Sequence, residues 1–265
     1  MLYVGIISVH LIQFVIFKNK IIMKFPLVIA ALCFAQVSFA QIQLPQASGA
    51  AEVEQTIGYT KIEVDYARPN LNNRKAFGAE LVPFNQVWRL GANNNTTIEI
   101  STDVTIEGKK LAKGTYAVFA IPTAKSWDIV FYNKTDNWGA PKQIDESLVV
   151  LKVNVPVKKI AEKIETFTIG FSEASLESTT MYMAWENTKV ELKINAETKK
   201  MAQEVIKNEL NAQSSGRDYF SAAYYYFSNK LDMKQALSWI NTAIEKDPNT
   251  AFYKDYKKKI EAALK

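Results

Sequence analysis

The chain has 265 residues, 48% of them hydrophobic and 22% charged, with 32 Lys and Arg against 27 Asp and Glu, one histidine and one cysteine. That length suits one sizeable core, or one domain with an appendage. A net charge of +5 asks for no nucleic-acid partner, and a single cysteine excludes an internal disulfide.

Two apolar runs open the chain, Leu2 to Phe17 and Ile21 to Phe39, separated by Lys18, Asn19 and Lys20. The second has the form of a secretory signal peptide: Lys24 gives the positive start, Phe25 to Val37 the apolar core, and Ser38-Phe39-Ala40 the small-x-small cleavage site before Gln41. Met23 is then the natural start, and an amino-terminal anchor is the alternative for the first run. Cys33 follows Leu32 rather than a small residue, so soluble export is favoured over lipidation. Residues 1–40 are thus read as a leader, and the product as periplasmic or secreted, with no membrane span once the leader is removed.

His10 and Cys33 both fall in that leader. An exported product would therefore lack Ser-His-Asp and Cys-His nucleophilic machinery and histidine- or thiolate-bound zinc. What remains is chemistry by Asp, Glu, Lys, Ser, Thr or Tyr, or a carboxylate-bound metal such as calcium. No cofactor is expected, and no metal spacing is diagnostic. The leader holds three lysines and no acid, so its removal leaves 29 basic against 27 acidic residues, a net charge of +2.

From residue 41 to 52 the chain reads as a polar, small-residue lead-in, with strands beginning near Val53. Ile62, Val64 and Tyr66 alternate with Glu63, Asp65 and Ala67, the period of a half-buried strand that Pro69 ends. Further strands are predicted around Ile98 to Ile100, Val104 to Glu107, Leu111 to Ile121, Trp127 to Tyr132, Leu148 to Val155, Phe167 to Phe171, Thr179 to Trp185 and Lys189 to Ile194, with a hairpin turn at Gly108 to Lys110. Eight or nine short strands joined by turns fit a mainly β domain over 53–195, an antiparallel β-sandwich or partly closed barrel. Lys and Glu recur too often for an outer-membrane barrel.

Between Arg68 and Asn95 neither period is sustained. A loop of this length that is not disordered is usually a binding or lid segment, and Leu71, Phe77, Val82, Phe84 and Trp88 are too apolar to stay solvated. Its three arginines, Arg68, Arg74 and Arg89, could converge on a phosphate, sulfate or carboxylate through paired guanidinium hydrogen bonds. The competing and favoured reading pairs them with Asp65, Glu80 or Glu99 as staples. Asn93, Asn94 and Asn95 beside Thr96 and Thr97 could bond a sugar, with Trp138 as a stacking platform, although a tight turn requires the same residues for at least one of the three. Trp88 is read as core and Trp138, among Asp136, Asn137 and Gly139, as exposed. Glu80, Glu99, Asp103, Asp128 and Asp136 are the acids near the loop, and the spacing pairs no two of them for glycoside hydrolysis.

From about Ala196 the period turns helical. Met201, Val205 and Leu210 begin it, Asp232 with Gln235 resembles a capping box, and Met233, Leu237, Ile240 and Ile244 form a stripe before Pro248. Phe220, Ala223, Tyr224, Phe227, Ala236, Ile240, Ala243 and Pro248 keep the spacing of one tetratricopeptide helical pair, so residues 196–265 are read as an all-α, tetratricopeptide-like tail. One repeat cannot bury its own face. The tail must therefore pack on the sandwich, on the preceding helix, on the last helix through Phe252, Tyr256 and Ile260, or on a partner, and a helical cap completing the core is favoured over a docking site for another protein.

Several of these residues also carry a family resemblance. Ala67-Arg68-Pro69, Arg74, Phe77-Gly78, Leu81-Val82-Pro83, Val87-Trp88-Arg89, Gly91-Ala92-Asn93, Gly108, Gly114-Thr115-Tyr116 and Ile121-Pro122 resemble, in motif and order, the exported bacterial family catalogued as domain of unknown function 2911. The resemblance covers about Val53 to Ile194. It implies export and a β-rich domain, and implies no reaction. The function expected is a non-catalytic binding module using the 68–97 loop for an anionic or carbohydrate-like ligand. A carboxylate-dependent hydrolase acting on glycans and a protein-interaction module working through the tail are the alternatives. Two acids facing one another in a cleft would favour the hydrolase, and acids bonded to arginines would favour binding or plain structure.

Overall fold

A computed structural model describes residues 44–265. The segment read as a leader, with its expected cleavage site, His10 and Cys33, lies outside the described residues. Ten strands form two antiparallel sheets. They are β1 (Gly49–Ile57), β2 (Thr60–Arg68), β3 (Thr96–Ile100), β4 (Val104–Ile106), β5 (Lys109–Leu111), β6 (Gly114–Pro122), β7 (Ser126–Tyr132), β8 (Val149–Pro156), β9 (Lys158–Ser172) and β10 (Ser178–Ala196). Six of them lie in the order β1-β2-β3-β6-β7-β8 and four in the order β5-β4-β10-β9. The sheets do not close on each other, so the architecture is a sandwich and not a barrel.

Inward side chains follow the alternation of the sequence. Ile62, Val64 and Tyr66 of β2, Ile98 and Ile100 of β3 and Trp127, Ile129 and Phe131 of β7 meet Phe167, Met183, Trp185, Val190 and Leu192 of the facing sheet. Between β4 and β5, Glu107 and Gly108 have φ of 49° and 77°. Two consecutive positive φ values are what a type I′ hairpin turn needs, so the turn falls one residue earlier than the glycine alone predicts.

Three boundaries differ from expectation. β1 starts at Gly49, inside the segment read as a lead-in, because it pairs with β2 along its whole length from Gly49–Arg68 to Ile57–Thr60. The runs Thr179–Trp185 and Lys189–Ile194 belong to one strand, β10; the polar Glu186-Asn187-Thr188 between them is a bulge where the register to β9 shifts twice and Glu186 has φ of 54°. Finally, β9 begins at Lys158, well before Phe167. Its charged first half is a sheet edge, where lysines and glutamates discourage pairing with another chain at the expense of the apolar alternation that marks a strand.

After the sandwich come four helices, α1 (Thr198–Glu209), α2 (Gly216–Ser228), α3 (Met233–Lys246) and α4 (Ala251–Ala263). Asp232 caps α3 by accepting from the amides of Lys234 and Gln235, while the reciprocal capping box forms at α2, between Ser215 and Asp218. In α1 the buried positions are Thr198 and Ala202, and Val205 faces solvent. The tail has its own core of Ala223, Tyr226, Ala236, Ile240, Ala243, Tyr253 and Ile260, separate from that of the sandwich. α2 and α3 pack on each other and on α4, the last helix that the sequence offers as one packing partner: Phe220 stacks on Tyr253 at 4.8 Å, and Ile206 of α1 packs against the same core.

Candidate functional site

The long loop between β2 and β3 divides into two parts. From Leu71 to Leu90 it turns inward, and Leu71, Ala76, Phe77, Val82, Trp88 and Leu90 join the sandwich core. Trp88 stacks on Trp185 at 6.0 Å and 14°, meets Phe77 and Trp127 edge-on, and exchanges backbone hydrogen bonds with Ala120 of β6 at 2.7 and 2.8 Å. Once Trp88 is placed, this part of the loop cannot act as a lid without opening the core.

Among the described residues, none of the three arginines forms a salt bridge with a carboxylate. Arg68 donates from Nε to Phe167 O at 3.1 Å and from Nη2 to Thr168 Oγ1 at 2.8 Å, joining β2 to β9 across the sandwich. Tyr66 Oη donates to Ile169 O beside it. Arg74 bonds the carbonyls of Leu71 and Asn70 within its own turn. Arg89 Nη1 donates to Asn93 O at 2.7 Å. The staple reading stands with its partners corrected: backbone carbonyls left over by an irregular chain replace Asp65, Glu80 and Glu99, since buried carbonyls must find donors. The three guanidinium groups bond different carbonyls, and none of them lines the cleft beside Asn93 and Trp138.

The second part of the loop does border a cleft. Asn93, Asn94, Asn95 and Thr97 form one side, Thr135 and Trp138 of the β7–β8 connection another, and Glu52 and Asp65 of β1 and β2 the rest, around a volume of about 590 Å³. Trp138 is 75% exposed. Asn93 has φ of 58° and donates from Nδ2 to Ser48 O at 3.0 Å, so it is the turn residue of the three. Asn95 is 6% exposed; its Nδ2 bonds Thr96 O, while its Oδ1 is buried with no partner.

Arg89 helps to set this cleft from behind. Besides holding Asn93, it packs under Gly139, where a Cβ would stand 3.1 Å from Nη1 and where φ is 84°. Only glycine suits both demands, and the contact fixes the approach of the Trp138 loop. That loop is further closed by Asn137 Nδ2 donating to Lys134 O at 2.6 Å and by Lys134 bonding Asp136 at 2.8 Å. The lysine's bond and charge hold the Asp136 carboxyl below its ordinary range.

Glu52 and Asp65 are direct cross-strand partners; the sequence points to Asp65 only as a possible arginine partner and does not point to Glu52. Each sits on the polar side of an ordinary alternation, so only the pairing of β1 with β2, and the start of β1 at Gly49, brings them together. Next to them, carboxylate oxygens of Glu52, Glu54 and Glu63 lie within 4.8 Å of one another. Lys61 Nζ stands there at 2.9 Å from Glu54 and 2.7 Å from Glu63, an ammonium where a metal ion would need to be. These two carboxylates push the lysine well above its ordinary range.

A second hollow, of about 450 Å³, lies between Tyr59 of the β1–β2 turn and helices α1 and α2, with Tyr225 Oη buried and unpaired beside it. Burial raises the Tyr225 phenol above its usual range. None of the expected ligand residues reaches this hollow.

No curated protein and no solved structure matches the chain. Residues 48–194 match the model of a family described as protein of unknown function, DUF2911, and those residues run from the rim of the cleft through the end of the sandwich, so the chain belongs to that family.

Proposed function

We propose that the protein is an exported, non-catalytic binding module that takes a hydroxyl-rich, carbohydrate-like ligand in the cleft beside Trp138. The observation that carries the reading is a solvent-facing indole opposite a row of amides and hydroxyls, Asn94, Asn95, Thr97 and Thr135, around a concavity of ligand size. Sugar rings stack their C–H faces on aromatic rings, and side-chain amides both donate to and accept from hydroxyls. An anionic ligand fits less well, because Glu52 and Asp65 line the cleft and, among the described residues, no lysine or arginine does. The ligand surface is thus the rim of the 68–97 loop, with its arginines serving as scaffold. The tetratricopeptide-like tail is read as an accessory to this module.

One observation favours the hydrolase alternative: Glu52 and Asp65 do face each other in the cleft, unpaired with arginine. Both are exposed, on an open strand pair that offers a scissile bond no enclosure from water. Binding is therefore preferred. The test is an array of neutral, amino and acidic glycans probed with the full-length chain and with Trp138→Ala. Binding to a set of glycans that the variant loses by tenfold or more is expected. Absence of binding, or binding that the variant retains, would sink the reading, and release of reducing ends that stops in both Glu52→Gln and Asp65→Asn would establish the hydrolase.

A further inference from the structure

We infer that residues 133–148, the connection between β7 and β8, form a cover that lifts from the sheet as one body and carries Trp138 with it. The inference concerns that connection itself and stands whether or not the cleft takes a sugar. Its neck is closed where Asn133 N donates to Leu148 O at 2.9 Å, so the segment is a compact loop whose two ends meet. Inside it the bonds are local: Lys134 to Asp136, Asn137 Nδ2 to Lys134 O, and Ser147 to Asp145. Among the described residues, one hydrogen bond leaves the segment between its ends, from Asn95 N to Asn137 O. At 3.4 Å it is near the limit of such a bond.

What holds the segment down is packing. Ala140, Ile144 and Leu148 lie, with Val87, on a small core made by Ala117, Phe119, Val130 and Tyr132 on the outer face of β6 and β7. Such burial is non-directional. The cover can therefore part from the sheet along this contact while the ladders of β6 and β7 with their neighbouring strands stay intact. Residues 71–90 are the opposite case, since Trp88 is bonded to Ala120 and enclosed by the main core.

The joint between cover and cleft is imperfect. Asn95 is 6% exposed and makes the long bond to Asn137 through its N–H, while its Oδ1 is buried without a partner. A buried unpaired acceptor favours a rearrangement that admits a donor or water, and lifting the cover does so. Gly139, with φ of 84°, rests against Arg89 at this same edge. Because Trp138 lies between Asn137 and Gly139, the movement carries the indole away from Asn94 and Thr97 and widens the cleft.

The experiment is thiol labelling of the full-length chain in a Cys33→Ser background, with one cysteine placed by Val130→Cys under the cover or by Val64→Cys in the sandwich core. Both sites are sealed from solvent, so labelling reads opening. Val130→Cys is expected to label at least about 100-fold faster than Val64→Cys under native conditions. Ile144→Ala and Gly139→Ala, at separated points of the cover, should each speed Val130→Cys by about tenfold and leave Val64→Cys unchanged. Equal rates at the two cysteines would mean that the cover opens only with the whole domain, and would overturn the inference. A response to Ile144→Ala alone would mean breathing beside one side chain, and would overturn it too. If Val130→Cys does not fold, hydrogen exchange of the Asn95 amide in the Cys33→Ser chain takes its place. Ile144→Ala and Gly139→Ala should each speed that amide by about tenfold and leave the Ala120 amide, bonded to Trp88 O, unchanged. Equal acceleration of both amides, or of neither, would overturn the inference.

Discussion

The two parts of the long loop both carry side-chain donors and have opposite fates. Residues 71–90 carry two of the three arginines and most of the apolar anchors, and they are consumed by the fold: Trp88 is 7% exposed in the middle of an aromatic cluster, and Arg74 and Arg89 spend their donors on loop carbonyls. Residues 93–97 are short, polar and without an anchor of their own, and they border the cleft. In an irregular segment, guanidinium groups go first to the carbonyls that no strand or helix satisfies. Donor-rich side chains therefore mark a ligand site only where the backbone around them is already bonded. Asn93–Thr97 meets that condition, because Thr96 enters β3 and its Oγ1 and N are tied to Leu90 and Arg89.

Substitutions can break or sharpen this contrast. Trp88→Ala removes an indole packed on four aromatic rings and should cost about 3–5 kcal/mol in urea unfolding; a loss below about 1 kcal/mol would mean that residues 71–90 move as a lid after all. Arg68→Met keeps the aliphatic stem and deletes the bonds to Phe167 O and Thr168, and should cost about 1.5–3 kcal/mol with no change in glycan binding. A variant that kept its stability and lost a ligand would restore the arginine site. Trp138→Ala, at the exposed end of the comparison, should leave stability within about 0.5 kcal/mol while affinity falls. A large destabilisation there would make the indole structural and remove the platform.

Much of the fold was legible in residue patterns. Ile62, Val64 and Tyr66 gave β2 its face by period alone, Trp88 was read as core and Trp138 as exposed, and the switch to helical spacing near Ala196 located the tail. Elements that failed to read did so for physical reasons. The edge half of β9 carries lysines and glutamates where alternation would be expected, and the bulge in β10 looks like a turn until its partner strand is seen. The tail's packing stays open among several surfaces in the sequence because nothing in the spacing of Phe220 or Ala223 tells whether the surface they cover belongs to the sandwich or to α4.

The site was legible only in part. Asn93, Asn94 and Trp138 could be named because amides beside a turn and an indole among polar residues are local signals. The pairing of Glu52 with Asp65 could not, because these are surface carboxylates of ordinary strands separated in sequence by a hairpin, and Asp65 alone reads as an arginine partner. By itself the sequence determined the strand faces, the family motifs and the absence of histidine and cysteine from residues 44–265, because these follow from residue identity and period. Only the tertiary structure decided that the arginines bond backbone carbonyls and that Glu52 and Asp65 share a cleft with Trp138, because hydrogen-bond partners and cross-strand neighbours are set by register and packing.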